Sequence, residues 1–150
     1  MKKLLIVLVA FLGLAMPASA QSFGVKLVGV QYNTFDPGKG TGLQFTLGTF
    51  FFISTDLEVN YVLGRIPLTT DRLFSFYYGA GAHVSFLGLF NFGALGVGAH
   101  GVLGVDYLLQ PNLAIGVGVN PGLTFYLSGL AGYTPILPYY NASLYLQFKI

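Results

Sequence analysis

The sequence predicts an all-β fold, a closed antiparallel up-and-down barrel that we expect to have eight strands. Side chains alternate between apolar and small or polar along most of the chain. Charged residues make up 8% of the 150 residues and hydrophobic residues 54%, whereas a typical globular protein has about 25% charged residues. The apolar segments after residue 20 are interrupted by polar and turn-forming residues, which argues against membrane-spanning helices.

Residues 1–20 have the features of a secretory signal peptide. Lys2 and Lys3 give it a positive start, Leu4–Leu14 is apolar, and Ala18-Ser19-Ala20 places small residues before a cleavage site. The apolar run is shorter than the ~20 residues that a helix needs to cross a bilayer. We therefore expect cleavage after Ala20 and one domain over residues 21–150.

Charge and cysteine content further narrow the class of protein that the sequence predicts. The chain has seven Lys and Arg residues against five Asp and Glu residues, and two of the seven are Lys2 and Lys3. Residues 21–150 therefore carry no net charge, so a nucleic-acid partner has no electrostatic support. The chain has no Cys, so disulfides cannot stabilise it.

Because only helices and closed barrels provide hydrogen-bond partners for all backbone groups in lipid, we expect an outer-membrane barrel.

The alternation is clearest between residues 113 and 127. Odd positions there include Leu113, Ile115, Val117 and Val119, and even positions are mostly Gly, Ala, Asn or Thr. This period of two is typical of a strand with one apolar face. The same pattern predicts six more strands, at about 22–32, 43–53, 56–64, 74–86, 95–107 and 140–150.

The distribution of charge indicates which face is inside. Every charged residue within these segments lies on the small or polar face, except Arg65 at a strand end. In an outer-membrane barrel that face fills the lumen and the apolar face contacts lipid. Glycine is frequent on the polar face, which suits a narrow lumen. Aromatic residues lie near strand ends on the apolar face, which suits an interfacial girdle; they are Phe74, Phe86, Tyr107, Tyr140 and Phe148.

Bacterial single-chain barrels have even strand numbers from eight upward, so one strand is missing from these seven. We expect it as a short strand within residues 129–138. Dividing 113–127 at Asn120-Pro121-Gly122 is the alternative, but it gives pieces shorter than the ~9 residues that a span needs. The longer connections, 33–41 and 66–72, are expected to be extracellular, and Ser54-Thr55 periplasmic.

Three segments, Phe76–Phe86, Gly101–Leu109 and Ser143–Ile150, resemble the small eight-stranded outer-membrane barrels of the OmpA transmembrane-domain type. The chain departs from that pattern in ending on Ile150 where Phe is usual. We expect a non-enzymatic, monomeric envelope protein anchored among outer-membrane lipids, with at most a narrow, porin-like passage for small solutes, because side chains can fill the interior of an eight-stranded barrel. The resemblance itself implies a type of barrel and not a particular activity. It also implies that the C-terminal strand is recognised by the barrel-assembly machinery.

His83 and Ser85 are the candidates for chemistry, because they lie two apart on one strand face. A His-x-Ser pair also occurs in the outer-membrane lipid A deacylases, which gives a lipid-modifying hydrolase as the alternative function. No Asn follows Ser85, and the pair is predicted to face the lumen, so we interpret His83, Ser85, His100 and Asp106 as lumen-filling polar residues. Two His without a third ligand make a poor metal site. We expect neither a metal nor a cofactor.

Lys26, Glu58 and Lys149 are predicted to form one charge cluster in the lumen. Alternation places all three on the inner face. Lys26 is near the start of the first predicted strand, Lys149 is near the end of the last, and Glu58 is near the start of the third, which places them at the periplasmic end. Two cations in a lumen of low dielectric need an anion, and Glu58 is the one at this depth.

Overall fold

The computed structural model describes residues 22–26, 29–50, 54–89, 92–127 and 136–150. These residues form eight strands: β1 (Ser22–Lys26), β2 (Gly29–Asn33), β3 (Gly42–Phe50), β4 (Ser54–Pro67), β5 (Phe74–Leu89), β6 (Phe92–Gln110), β7 (Leu113–Tyr126) and β8 (Ile136–Lys149). Each strand pairs antiparallel with its neighbours in the chain, and β1 pairs with β8. The predicted all-β, eight-stranded, up-and-down closed barrel is therefore confirmed.

The eighth strand lies at the start of the chain, not within residues 129–138 as predicted. The predicted first strand, 22–32, is a hairpin in which β1 and β2 are separated by residues 27–28 and Lys26 pairs with Gly29. The barrel closes without another strand. Ile136–Pro138 belong to β8, and residues 128–135 lie outside the described residues.

The additional strand changes which connections share an end of the barrel. We call the end that carries Ser22 and Lys149 the terminal end. The 34–41 connection lies there, since Ser22 Oγ donates to Phe35 O at 2.7 Å. The 68–73 connection lies there too, because Leu108 near the end of β6 donates its N–H to Leu73 O at 2.7 Å. Both were expected at the end opposite the termini, so that assignment is wrong.

The wall of the barrel is uneven in height. β1 and β2 have five residues each, whereas β5 has sixteen and β6 nineteen. β1 pairs with only residues 145–149 of β8. Among the described residues, the first part of β8 is therefore paired on one side only, with β7.

A β-bulge in β4 changes which residues face the lumen. The register with β5 shifts between Val62 and Gly64. Before the bulge, the inward residues are at even positions, and after it Arg65 points inward. A bulge adds one residue to one strand and so reverses the alternation beyond it. Arg65 therefore lies on the polar face, although simple alternation had made it the exception.

Candidate functional site

The lumen of the barrel is polar and its outer surface is apolar. In β4, Asp56, Glu58 and Asn60 are buried inside. Their neighbours Leu57 and Val59 are each 42% exposed on the outer face. The same inversion recurs in the other strands, with buried Gln31, Thr46, His83, His100, Asp106, Thr124 and Gln147 inside and Val84, Leu95, Val97, Val117, Val119, Leu123 and Leu144 exposed outside.

Glu58 is the centre of the lumenal hydrogen-bond network and is fully buried. Its carboxylate accepts hydrogen bonds from Asn60 Nδ2 at 3.1 Å and Asn120 Nδ2 at 2.8 Å. It also accepts from the Tyr139 hydroxyl at 2.8 Å and from the Asn141 amide. The four donors come from β4, β7 and β8, so one buried charge holds three parts of the wall together.

The predicted cluster of Lys26, Glu58 and Lys149 is only partly present. Lys26 is buried and attracts Glu58 electrostatically. Lys149 instead forms a 2.9 Å ion pair with Asp36, and its side chain is 44% exposed. Lys149 pairs with Ser22 and Lys26 with Tyr145, so the two lysines are four residues apart in depth, or ~13 Å. Lys26 lies at the far end of a short β1, not near the terminal end.

His83 and His100 lie side by side in the lumen. Their Nδ1 atoms are 2.9 Å apart, His83 Nε2 lies 2.7 Å from Thr124 Oγ1, and His100 Nε2 lies 2.6 Å from Asn60 Oδ1. Tyr139 stacks on His83 with ring centroids 3.7 Å apart. From the sequence, the two histidines were considered together only as a metal site, for which they lack a third ligand.

The neighbours determine which ring nitrogens carry hydrogen. Asn60 Nδ2 donates to Glu58 and to Gln44 Oε1, so Asn60 Oδ1 is an acceptor and His100 Nε2 must donate to it. A neutral His100 then accepts at Nδ1 from His83, and His83 accepts at Nε2 from the Thr124 hydroxyl. Every nitrogen is satisfied with both rings neutral.

The hydrolase alternative required His83 to activate Ser85. Both nitrogens of His83 are engaged by His100 and Thr124. Ser85 donates its hydroxyl hydrogen to Asp56. A serine nucleophile needs a base within hydrogen-bond reach and a group that orients this base. The structure does not bring these two residues into that arrangement.

Asp106 lies nearer the terminal end and pairs with Arg65. Arg65 Nη1 lies 3.0 and 2.5 Å from the two Asp106 oxygens, and Arg65 Nε donates to Gly40 O at 2.5 Å. The guanidinium also lies over the rings of Phe35 and Tyr77, 5.6 and 5.1 Å from their centroids. The alternating pattern did not predict this ion pair, because without the bulge between Val62 and Gly64 Arg65 is an exception to the alternation.

Within the described part of the chain, no group of three or more His, Asp or Glu side chains is placed to hold a metal ion. No helix there is long and apolar enough to cross a membrane.

Comparison with known proteins gives no relative: no family model, no curated protein and no solved structure matches the chain. The fold and the lumenal network are therefore the basis for inferring a function. The barrel itself is consistent with the small eight-stranded type that the sequence resembles.

Proposed function

We propose that this chain is a non-enzymatic, monomeric outer-membrane barrel of the OmpA transmembrane-domain-like type, exported by a signal peptide at residues 1–20 and anchored in the envelope. The observation that supports this proposal is the inverted polarity of the barrel. Soluble monomers rarely expose contiguous apolar patches larger than a few hundred Å². Here apolar side chains occupy outward positions on strand after strand, as in barrels that face lipid.

The filled lumen supports a structural role over an open pore. The Glu58 network and the two histidines occupy the interior at mid-height, where Glu58, Asn60 and Thr124 are each no more than 1% exposed. Eight strands leave an interior that side chains alone can fill. Passage would therefore be limited to small solutes, and outer-membrane lipids and the barrel-assembly machinery, through β8, are the expected partners.

A charge placed on the outer face tests the membrane location. Val119 lies in the middle of β7, is 48% exposed, and pairs with Leu103 and Ala142. In a bilayer, Val119→Arg should cost ~2–4 kcal/mol of barrel stability, whereas Thr70→Arg in the exposed 68–73 connection should cost little. The measurement is the urea midpoint of each variant in lipid vesicles.

Fractionation of expressing bacteria provides the second readout. The protein should be recovered with outer membranes, migrate faster on gels before heating than after, and begin at Gln21. Recovery of the wild-type protein in the soluble periplasmic fraction would contradict the proposal. Equal urea midpoints for Val119→Arg and Thr70→Arg would also contradict the proposal, because an outer face in contact with water tolerates an arginine.

A further inference from the structure

The terminal end of the barrel contains a cavity that the lumenal network does not explain. Its volume is about 660 Å³, and its walls come from the 34–41 connection, the end of β4, the 68–73 connection and β6. Charged side chains in the wall are Lys39, Arg65, Asp71 and Arg72, and the apolar side chains include Leu73 and Leu108. We call this space the vestibule.

The cations of the vestibule are not neutralised by its one carboxylate. Arg65 is already engaged by Asp106. Asp71 turns back into its own connection, where it accepts hydrogen bonds from Thr69 Oγ1 and, at 3.0 Å, from Leu73 N. Lys39 and Arg72 are exposed, and within the described ranges neither has an ion-pair partner. Two cations therefore face the cavity without a partner.

The two connections that carry these cations are held in place by hydrogen bonds. Arg72 has a positive φ of 58°, which is uncommon outside glycine. Its N–H donates to Thr69 O at 3.0 Å, and Leu68 N donates to Phe74 O at 2.8 Å. In the 34–41 connection, Lys39 and Gly40 donate their N–H groups to Asp36 O at 3.3 and 3.2 Å. A binding site whose loops are already ordered loses less entropy when a ligand binds.

We propose that the vestibule binds the anionic head group of a small amphiphile, a phosphate or a carboxylate. Lys39 and Arg72 contact the anion, because ammonium and guanidinium groups form charge-assisted hydrogen bonds with both groups. Leu73 and Leu108 contact the adjoining apolar part. The volume exceeds what a bare phosphate needs, which favours a ligand with both parts. This inference does not depend on the membrane location.

The test is calorimetric titration of the folded barrel in dodecyl maltoside, an uncharged detergent, with two probes. Inorganic pyrophosphate represents a free anion, and dodecyl phosphate represents a lipid-like head group. Lys39→Gln and Arg72→Asn, separately and together, remove the cations; Asn is among the residues that tolerate a positive φ. Lys149→Gln is the matched control, since it removes a cation at the same end that is already paired with Asp36.

We expect at least one probe to bind, and the double variant to bind it about tenfold or more weakly, because charge-assisted hydrogen bonds are the strong ones in such a site. Lys149→Gln should bind within about twofold of wild type, since Lys149 does not line the vestibule. Binding of pyrophosphate identifies a free anion as sufficient, and binding of dodecyl phosphate alone identifies a head group with its chain.

The proposal is overturned if neither probe binds, if the double variant keeps wild-type affinity, or if the cation dodecyltrimethylammonium binds as well as dodecyl phosphate. If Arg72→Asn does not fold, the affinity of Lys39→Gln for the probe is the test, because this variant leaves the 68–73 connection intact. The titration uses folded protein from any cell fraction. A soluble location would therefore refute the proposed function and leave this result interpretable.

Discussion

A buried carboxylate stays ionised only where hydrogen-bond donors and a cation surround it, and Glu58 has both. Four side chains donate to it and Lys26 attracts it. Removing one partner of such a buried pair leaves the other uncompensated, which is far more costly than losing a solvated charge. The stability of the lumen therefore depends strongly on Glu58.

We predict that Glu58→Gln lowers the stability of the barrel by ~3–5 kcal/mol, because it leaves Lys26 buried without its anion. It also replaces one of the two acceptor oxygens with an amide nitrogen, a donor that faces side chains which themselves donate. Asp71→Asn is the control, since it makes the same carboxylate-to-amide change in an exposed connection. The measurement is the urea midpoint of refolded barrels in detergent. Equal midpoints would show that lumen water solvates Glu58 fully.

Two buried threonines allow the His83 hydrogen bond to be measured separately. Thr124 and Thr46 are each 1% exposed in the lumen, but Thr124 bonds His83 Nε2 whereas Thr46 Oγ1 has no partner among the described residues. We predict that Thr124→Val costs ~1–3 kcal/mol, because it leaves a buried acceptor unsatisfied. Thr46→Val should be neutral or stabilising.

Urea midpoints of the two valine variants test this directly, and ¹⁵N spectra of the histidine rings test the assignment of hydrogens. Wild-type spectra should show hydrogen on His83 Nδ1 and on His100 Nε2. A larger loss for Thr46→Val than for Thr124→Val would contradict the network as described.

Sequence alternation predicted which polar residues enter the lumen, but not how they pair. It placed His83, His100, Glu58 and Asp106 inside, as the structure does. Pairing depends on depth as well as face, and depth depends on strand ends. Lys149 was therefore assigned to Glu58 although it pairs with Asp36, and the partner of Asp106, Arg65, was not recognised.

At the scale of elements, strands with one apolar face could be recognised because alternation persists over many residues. The β1–β2 hairpin could not, since the sequence between the two strands, Leu27-Val28, is apolar and lacks the Asn-Gly or Asp-Gly signal of tight hairpins. The β4 bulge was missed for a similar reason. One inserted residue changes the pattern at a single step, near the end of a strand.

The glycines of β6 differ according to the face on which they lie. A Cβ added at Gly98 would lie against the Leu123 backbone carbonyl and 2.6 Å from the His83 ring, whereas one added at Gly101 would meet only Pro121 O, at 3.8 Å. The lumen glycine leaves space that the imidazole fills. Glycine is thus frequent on the inner face because large aromatic side chains, such as the His83 imidazole beside Gly98, occupy the neighbouring space.

We predict that Gly98→Ala destabilises the barrel by ~1–3 kcal/mol through overpacking. Gly101→Ala should be neutral or stabilising, because alanine restricts the unfolded chain and meets open space. Urea midpoints of both variants, measured beside wild type in the same detergent, check this. If Gly101→Ala proved the more damaging, the assignment of inner and outer faces in β6 would be wrong.

At the scale of the whole molecule, the even number of strands places both termini at one end. The connections 34–41 and 68–73 share that end, and residues 51–53 and 128–135 follow strands that run to the other. Two rules for orientation then disagree. Longer connections in such barrels are usually extracellular, so the 34–41 and 68–73 connections favour the terminal end outside, although nine residues, 127–135, separate β7 from β8 at the other end. An exported chain reaches the outer membrane from the periplasm, which favours the terminal end inside.

We predict that the terminal end faces the periplasm, because the opposite orientation requires both chain ends to cross the bilayer. The chain has no Cys, so single cysteines report orientation without background. Lys39→Cys should react with an impermeant maleimide only after the outer membrane is permeabilised. Reaction of Lys39→Cys on intact cells would show that the terminal end faces the outside.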